Sequence, residues 1–149
     1  LAKEGNPQLY SFPESQTEGL NFSFSGIKTS LLYFLRDQQK LNPQFLENNI
    51  NHVCASYQRQ IIVSLMKRMN KAISQYKPAS IGLSGGVSAN SELRSTWLEL
   101  GNKHNVPAWI PAFEYCTDNA AMVAMAGYQK YLQGNFTPLS ALPFARNKH

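Results

Sequence analysis

Ser80-Ile81-Gly82-Leu83-Ser84-Gly85-Gly86-Val87-Ser88-Ala89-Asn90 is the stretch whose reading decides the fold. A short apolar run, Ser80 to Leu83, has the length and bounding residues of a strand. Two glycines follow a hydroxyl residue, and a helical pattern then runs from about Ser88 to Asn102, with Ser88 suited to cap it. Downstream, Ala108-Trp109-Ile110 between Pro107 and Pro111 repeats the strand signal. A last helix is predicted from about Thr117 to Leu132, ended by Gly134. Strands alternating with helices predict an α/β layered domain with a mainly parallel sheet.

Upstream the pattern changes. Residues 1–20 read as an irregular lead-in, broken by Gly5, Pro7 and Pro13. Asn21-Phe22-Ser23-Phe24-Ser25 alternates polar and aromatic, predicting a half-buried strand that Gly26 ends. Leu31, Leu32, Phe34 and Leu35 carry a helix to about Arg36, closed by Asn42-Pro43. From Pro43 to Tyr76 one long helix is expected: Val53, Tyr57, Ile61, Leu65, Met69, Ala72 and Tyr76 recur at three- and four-residue steps. Pro78 stops it. No internal repeat or low-complexity tract interrupts this order.

Composition narrows the class. The 149 residues fit one domain, and 43% apolar with 11% aromatic residues is too much for an intrinsically disordered chain. No apolar run approaches the roughly 18 residues of a membrane span, and the opening LAKEGNPQLY has no secretory apolar core. Cys54 and Cys116 form no CxxC, which argues for a reducing compartment, a cytoplasmic location, and neither a disulfide framework nor a zinc cluster. With Leu1 in place of Met and a polar opening, the sequence is expected to be a piece of a longer chain.

The net charge of +5 is concentrated. No acid lies between Glu47 and Glu92, whereas Arg59, Lys67, Arg68, Lys71 and Lys77 do. On a helical wheel Arg59, Lys67, Lys71 and Lys77 oppose the apolar stripe, as in an ordinary solvated face; the same stripe suits phosphates.

Three clusters carry chemistry. At Gly85-Gly86 a backbone free of side chains can approach a ligand, and the helix start beyond it attracts anions, with Asn90 in reach of a phosphate or ribose hydroxyl. A plain strand-to-helix turn explains the same residues equally well. In Tyr115-Cys116-Thr117-Asp118-Asn119-Ala120-Ala121-Met122, Thr117 is the expected N-cap, with Asp118 and Asn119 in the first turn. The helix dipole keeps a carboxylate there ionised and available to a cation, although helix-start chemistry alone also favours it. Ala120, Ala121, Ala124, Ala126 and Gly127 predict a helix pressed against a neighbouring backbone. The third cluster, Ser23 to Thr29 with Lys28, is weak by itself. His52, His104 and His149 are isolated, so no HxxxH or HExxH metal pair exists, and Cys54 falls on the apolar arc as a core residue. Cys116 has no base near it in sequence.

Taken together, FSFSGIKTS at 22–30, LSGGVSANSELR at 83–94 and YCTDNAAMVAMAG at 115–127 resemble the carboxy-terminal part of the tRNA threonylcarbamoyladenosine transferase family (TsaD), formerly called O-sialoglycoprotein endopeptidase or glycoprotease. The resemblance implies the actin-like ATPase, sugar kinase and Hsp70 type of fold. Residues 1–149 would be a single partial domain, mainly the second lobe, with an incomplete mixed sheet flanked by helices. It implies transfer of a threonylcarbamoyl group from threonylcarbamoyl-AMP to N6 of the adenosine beside the anticodon. By the same resemblance Asn90, Gly85 and Gly86 face the adenylate, and Asp118 is one ligand of a divalent metal, iron or zinc. The family's other two ligands are an HxxxH pair that this sequence lacks. The chain alone is therefore expected to be inactive and to hold no metal tightly. Partners implied are tRNA, an inactive paralogue subunit and a small ATPase subunit, and an open sheet edge implies self-association. No catalytic acid or base is assigned. Competing readings are a metalloendopeptidase, a small-molecule kinase of the same fold and a non-enzymatic RNA-binding lobe.

Overall fold

The computed structural model describes residues 1–14 and 17–142; His149 lies outside them, as do Ser15, Gln16 and the last residues of the expected domain. The molecule is a helix-rich mixed α/β structure with one small parallel sheet. Its helices are α1 (Ser25–Leu41), α2 (Phe45–Tyr76), α3 (Ser91–His104) and α4 (Ala120–Leu132); its strands are β1 (Ile81–Gly82) and β2 (Ala108–Trp109). None of the described helices is long and apolar enough to cross a membrane.

α2 is the spine. Its 32 residues extend about 48 Å at 1.5 Å per residue. The amino-terminal half packs the lead-in, which is irregular as expected apart from a 3-10 turn at Ala2–Glu4, yet is held in place by specific contacts. Asn6 N–H donates to His52 Nδ1 at 2.9 Å, Tyr10 N–H to Ser56 Oγ at 3.2 Å, and Ser56 Oγ to the Asn6 carbonyl at 3.2 Å. Gly5 makes this docking possible, because a Cβ there would lie 2.0 Å from the Asn51 carbonyl oxygen. Beneath the lead-in, Tyr10, Phe12, Phe34, Phe45 and Tyr57 interlock with ring centroids 5.0 to 5.8 Å apart. Such pairs each add about 0.5–1.5 kcal/mol to their burial.

The segment 21–25 is not a strand. With no neighbouring strand among the described residues to accept its backbone hydrogen bonds, it stays irregular to Phe24 and enters α1 at Ser25. Gly26 sits inside that helix, and α1 runs on to Leu41, past the expected end at Arg36. The alternation survives in one respect: Phe22 and Phe24 share a side, with rings stacked at 6.2 Å.

The carboxyl-terminal half of α2 packs the sheet. Ile73, Ile81, Trp97 and Leu100 form a buried cluster, with Met66, Met69, Leu83, Val106, Ala108 and Ile110 around it. β1 and β2 pair in parallel, Ile81 opposite Ala108 and Gly82 opposite Trp109, and α3 connects them. Gly101 lets α3 sit close on β2: a Cβ there would lie 2.6 Å from the Ala108 Cβ. That close approach was expected of the small residues in α4, and there it does not occur. Every residue of α4 is exposed and a Cβ on Gly127 would meet nothing within 4 Å.

Candidate functional site

Because β1 and β2 are parallel neighbours, the loops that leave their carboxyl ends emerge side by side, the usual place for a ligand in an open α/β sheet. The first loop runs from Leu83 to Asn90 and the second from Ile110 to Asn119. Arg94, in the first turn of α3, ties them together. Its Nη1 donates to the Ser88 carbonyl at 3.0 Å and its Nη2 to the Pro111 carbonyl at 2.9 Å. Cys116 Sγ lies 3.7 Å from Nη1, and the guanidinium stands 4.3 Å over the Phe113 ring. The Asn90 loop and the Asp118 loop are thus clamped by one side chain.

Within the first loop, Gly85 holds φ +85°, where a side chain would be strained. Gly86 has no such constraint and open space around it. Both glycines are exposed and open the 3-10 turn Gly86–Ala89. The expected cap residue is displaced by two positions. Ser88 lies inside that turn, fully buried, its hydroxyl without a partner among the described residues. Asn90 is the N-cap of α3, accepting from Leu93 N–H at 3.0 Å, because its longer side chain reaches the turn that Ser88 is too early to meet. Asn90 Nδ2 also donates to Gln58 Oε1 at 2.8 Å, and Gln58 Nε2 donates to Glu92 at 2.5 Å. These bonds fasten the loop to the middle of α2. Between them lies an apolar cavity of about 400 Å³, with Asn90, Val87 and Leu93 on one wall and Tyr57, Ile61 and Leu65 on the other. Cys54, expected in the core, is half-buried and also lines this cavity.

In the second loop, the cap is Asn119, not Thr117; its Oδ1 accepts from Met122 N–H at 2.9 Å. Asp118 consequently stands just outside α4 rather than in its first turn. It is exposed, with no hydrogen-bond partner among the described residues. No three His, Cys, Asp or Glu side chains gather into a metal centre among the described residues. His52 accepts from Asn6, and His104 Nε2 lies 2.9 Å from Asn70 Oδ1, so each serves packing. The third cluster does not join the site: Phe22, Ser23, Phe24 and Ile27 line a shallow hollow against Ser64, Lys67 and Arg68 of α2. Among the described residues, two of the five cations of the acid-free stretch have partners, although Lys67 stays exposed. Lys67 pairs with Glu14 at 2.6 Å, and Arg68 donates to the Gly19 carbonyl and to Thr17 Oγ1.

Two residues escaped the sequence reading, Arg94 and Gln58. Arg94 carried a signal: a cation in the first turn of a helix opposes the helix dipole, so it needs a partner elsewhere. Gln58, one amide among many on a long helix, carried none.

Comparison with known proteins bears on this site. Residues 1–125 match the family model described as TsaD, tRNA N6-adenosine threonylcarbamoyltransferase. A protein of that name from Porphyromonas gingivalis is 46% identical over 146 residues, covering 98% of this chain. Those from Riemerella anatipestifer, 46% identical over 97% of the chain, and Carboxydothermus hydrogenoformans, 44% identical over 94%, are similar. The chain spans 43% of the length of the first of these relatives, in its carboxy-terminal part. With the family's match running through both clamped loops, the chain belongs to the TsaD family.

Proposed function

We propose that this chain is the adenylate-facing portion of a tRNA N6-adenosine threonylcarbamoyltransferase, a partial domain forming mainly the second lobe of an actin-like fold. The observation that carries the reading is the Arg94 clamp, which brings the Gly85-Gly86-Asn90 loop and the Asp118 loop to one edge of the sheet. In this reading Gly85 and Gly86 expose backbone N–H groups to threonylcarbamoyl-AMP. Asn90 keeps its cap and its bond to Gln58, and offers its second Nδ2 hydrogen to the substrate. The threonylcarbamoyl group passes to N6 of the adenosine beside the anticodon of tRNA.

One divalent ion, iron or zinc, belongs to the full-length transferase in the same reading. Among the described residues the donors do not make a centre for it: Asp118 stands without a second metal-ligating side chain beside it, and a transition metal needs several ligands at once. Asp118 is proposed as one ligand, the others coming from outside these residues. The inactive paralogue and small ATPase subunits would engage the complete protein. The two-stranded sheet leaves open edges, which supports self-association of this stretch; a single monomeric boundary in sedimentation velocity at high concentration would count against it.

The test is to supply the full-length protein with tRNA and threonylcarbamoyl-AMP carrying a labelled threonine. Label in tRNA, recovered on adenine N6, is expected. Unlabelled tRNA, with phosphoryl transfer or glycoprotein cleavage in its place, would overturn the reading.

A further inference from the structure

The docked lead-in divides the cations of the acid-free stretch into two sets. Lys67 and Arg68 are engaged by Glu14, Thr17 and Gly19. Arg59, Lys71 and Lys77 are exposed and have no hydrogen-bond or ion-pair partner among the described residues. Lys103 joins them from α3, because its Nζ donates to Asn70 Oδ1, one residue from Lys71, at 3.2 Å. On a 100° wheel Arg59 and Lys77 coincide, Asn70 falls about 20° and Ser74 about 60° from them, and Lys71 lies about 120° away, so the cations span about a third of the helix circumference. From Arg59 to Lys77 the face extends about 27 Å along the helix axis. The exposed acid nearest in sequence to Lys103 on α3 is Glu99, one turn before it. A rigid helix that holds unpaired ammonium and guanidinium groups over such a length matches the spacing of several phosphates on a folded RNA, not a single small anion.

We propose that the stretch from Arg59 in the middle of α2 to Lys77 just past its end, with Lys71 and the adjoining Lys103, is a contact face for the phosphate backbone of tRNA. The proposal rests on the transferase reading for its choice of polyanion. The face is distinct from the clamped loops: it holds and orients the tRNA body, and none of its residues touches the reacting atoms.

The experiment has two readouts. First, binding of unfractionated tRNA to the 149-residue chain is measured between about 50 and 200 mM salt. A Lys71→Gln, Lys77→Gln, Lys103→Gln triple variant is expected to flatten the plot of log affinity against log salt by about three, one for each lost phosphate contact. Lys40→Gln, in the last turn of α1 and already near Asp37, is expected to leave the slope unchanged. Second, in the full-length transferase the triple variant is expected to raise KM for tRNA about tenfold with kcat within about twofold, the pattern of lost uniform binding. Lys71→Glu alone, a single exposed change, repeats both measurements should the triple variant prove unstable, with the same direction expected. An unchanged slope and an unchanged KM would overturn the proposal while leaving the transferase reading intact. A full-length protein that modifies no tRNA, yet whose 149-residue portion shows the slope change, would overturn that reading and keep the face.

Discussion

Arg94 reaches from the first turn of α3 to Pro111, beyond the end of β2, and donates to its carbonyl oxygen at 2.9 Å. The same guanidinium holds the Ser88 carbonyl at 3.0 Å, so the two loops of the candidate site share one anchor. Arg94→Met should therefore free both carbonyls and destabilise the chain by about 2 kcal/mol, the range for hydrogen bonds to a charged group. Arg94→Lys should recover only part of this, since an ammonium lacks the planar fork. Urea midpoints measure both, and a loss below about 0.5 kcal/mol for Arg94→Met would mean that the clamp is not structural.

The displaced cap separates two neighbouring residues. Asn90→Ala removes the acceptor for Leu93 N–H and the donor to Gln58, and should cost about 1–2 kcal/mol. Ser88→Ala removes a buried hydroxyl that has no partner, and should be neutral or stabilising. Thermal melts of the two variants should move in this order; equal losses would return the capping role to Ser88.

Glycines give a contrast in packing. Gly101→Ala drives a methyl group into Ala108 and the Val106 carbonyl, at 2.6 and 2.8 Å, and should cost about 1–3 kcal/mol. Gly127→Ala meets open space in α4 and should stabilise this chain by about 0.5–1 kcal/mol through helix propensity. A destabilised Gly127→Ala chain would show that α4 is packed in solution.

Metal binding should follow the donor count. Equilibrium dialysis of the 149-residue chain against iron or zinc is expected to give less than one tightly held ion per chain, and Asp118→Ala is expected to leave its stability unchanged. One tightly held ion per chain would contradict both the donor count and the assignment of the missing ligands to residues outside it.

Much of this was legible in the residues. The strand, double glycine and helix at 81–104 and the strand at Ala108-Trp109 came through because each is a local pattern bounded by glycine or proline. The apolar stripe of α2 fixed its length almost to the residue, since one helix supplies the surface for both cores. What failed was whatever depends on distant neighbours. Phe22 and Phe24 alternate like a strand, but among the described residues no partner strand lies beside them. The small residues of α4 look like a contact face, yet Gly101 in α3 is the glycine that makes the contact. Ser88 and Thr117 look like caps, but Asn90 and Asn119 cap instead, which leaves Asp118 outside its helix. Arg94 and Gln58, which hold the site together, act across 17 to 34 positions of sequence and leave no periodic trace.

The most direct test of the central claim measures threonylcarbamoyl transfer to tRNA by full-length protein carrying Gly86→Ala, Asn90→Ala or Asp118→Ala. Gly86→Ala and Asp118→Ala should leave the fold unchanged, because one adds a methyl to open space and the other removes an exposed, unpartnered carboxylate. All three should nevertheless lower transfer: Gly86→Ala by placing a methyl group where the adenylate would approach the backbone, and the other two by about 100-fold, the scale of losing one positioned group at a reacting centre. Transfer near the unmodified rate in all three would place the chemistry away from these loops.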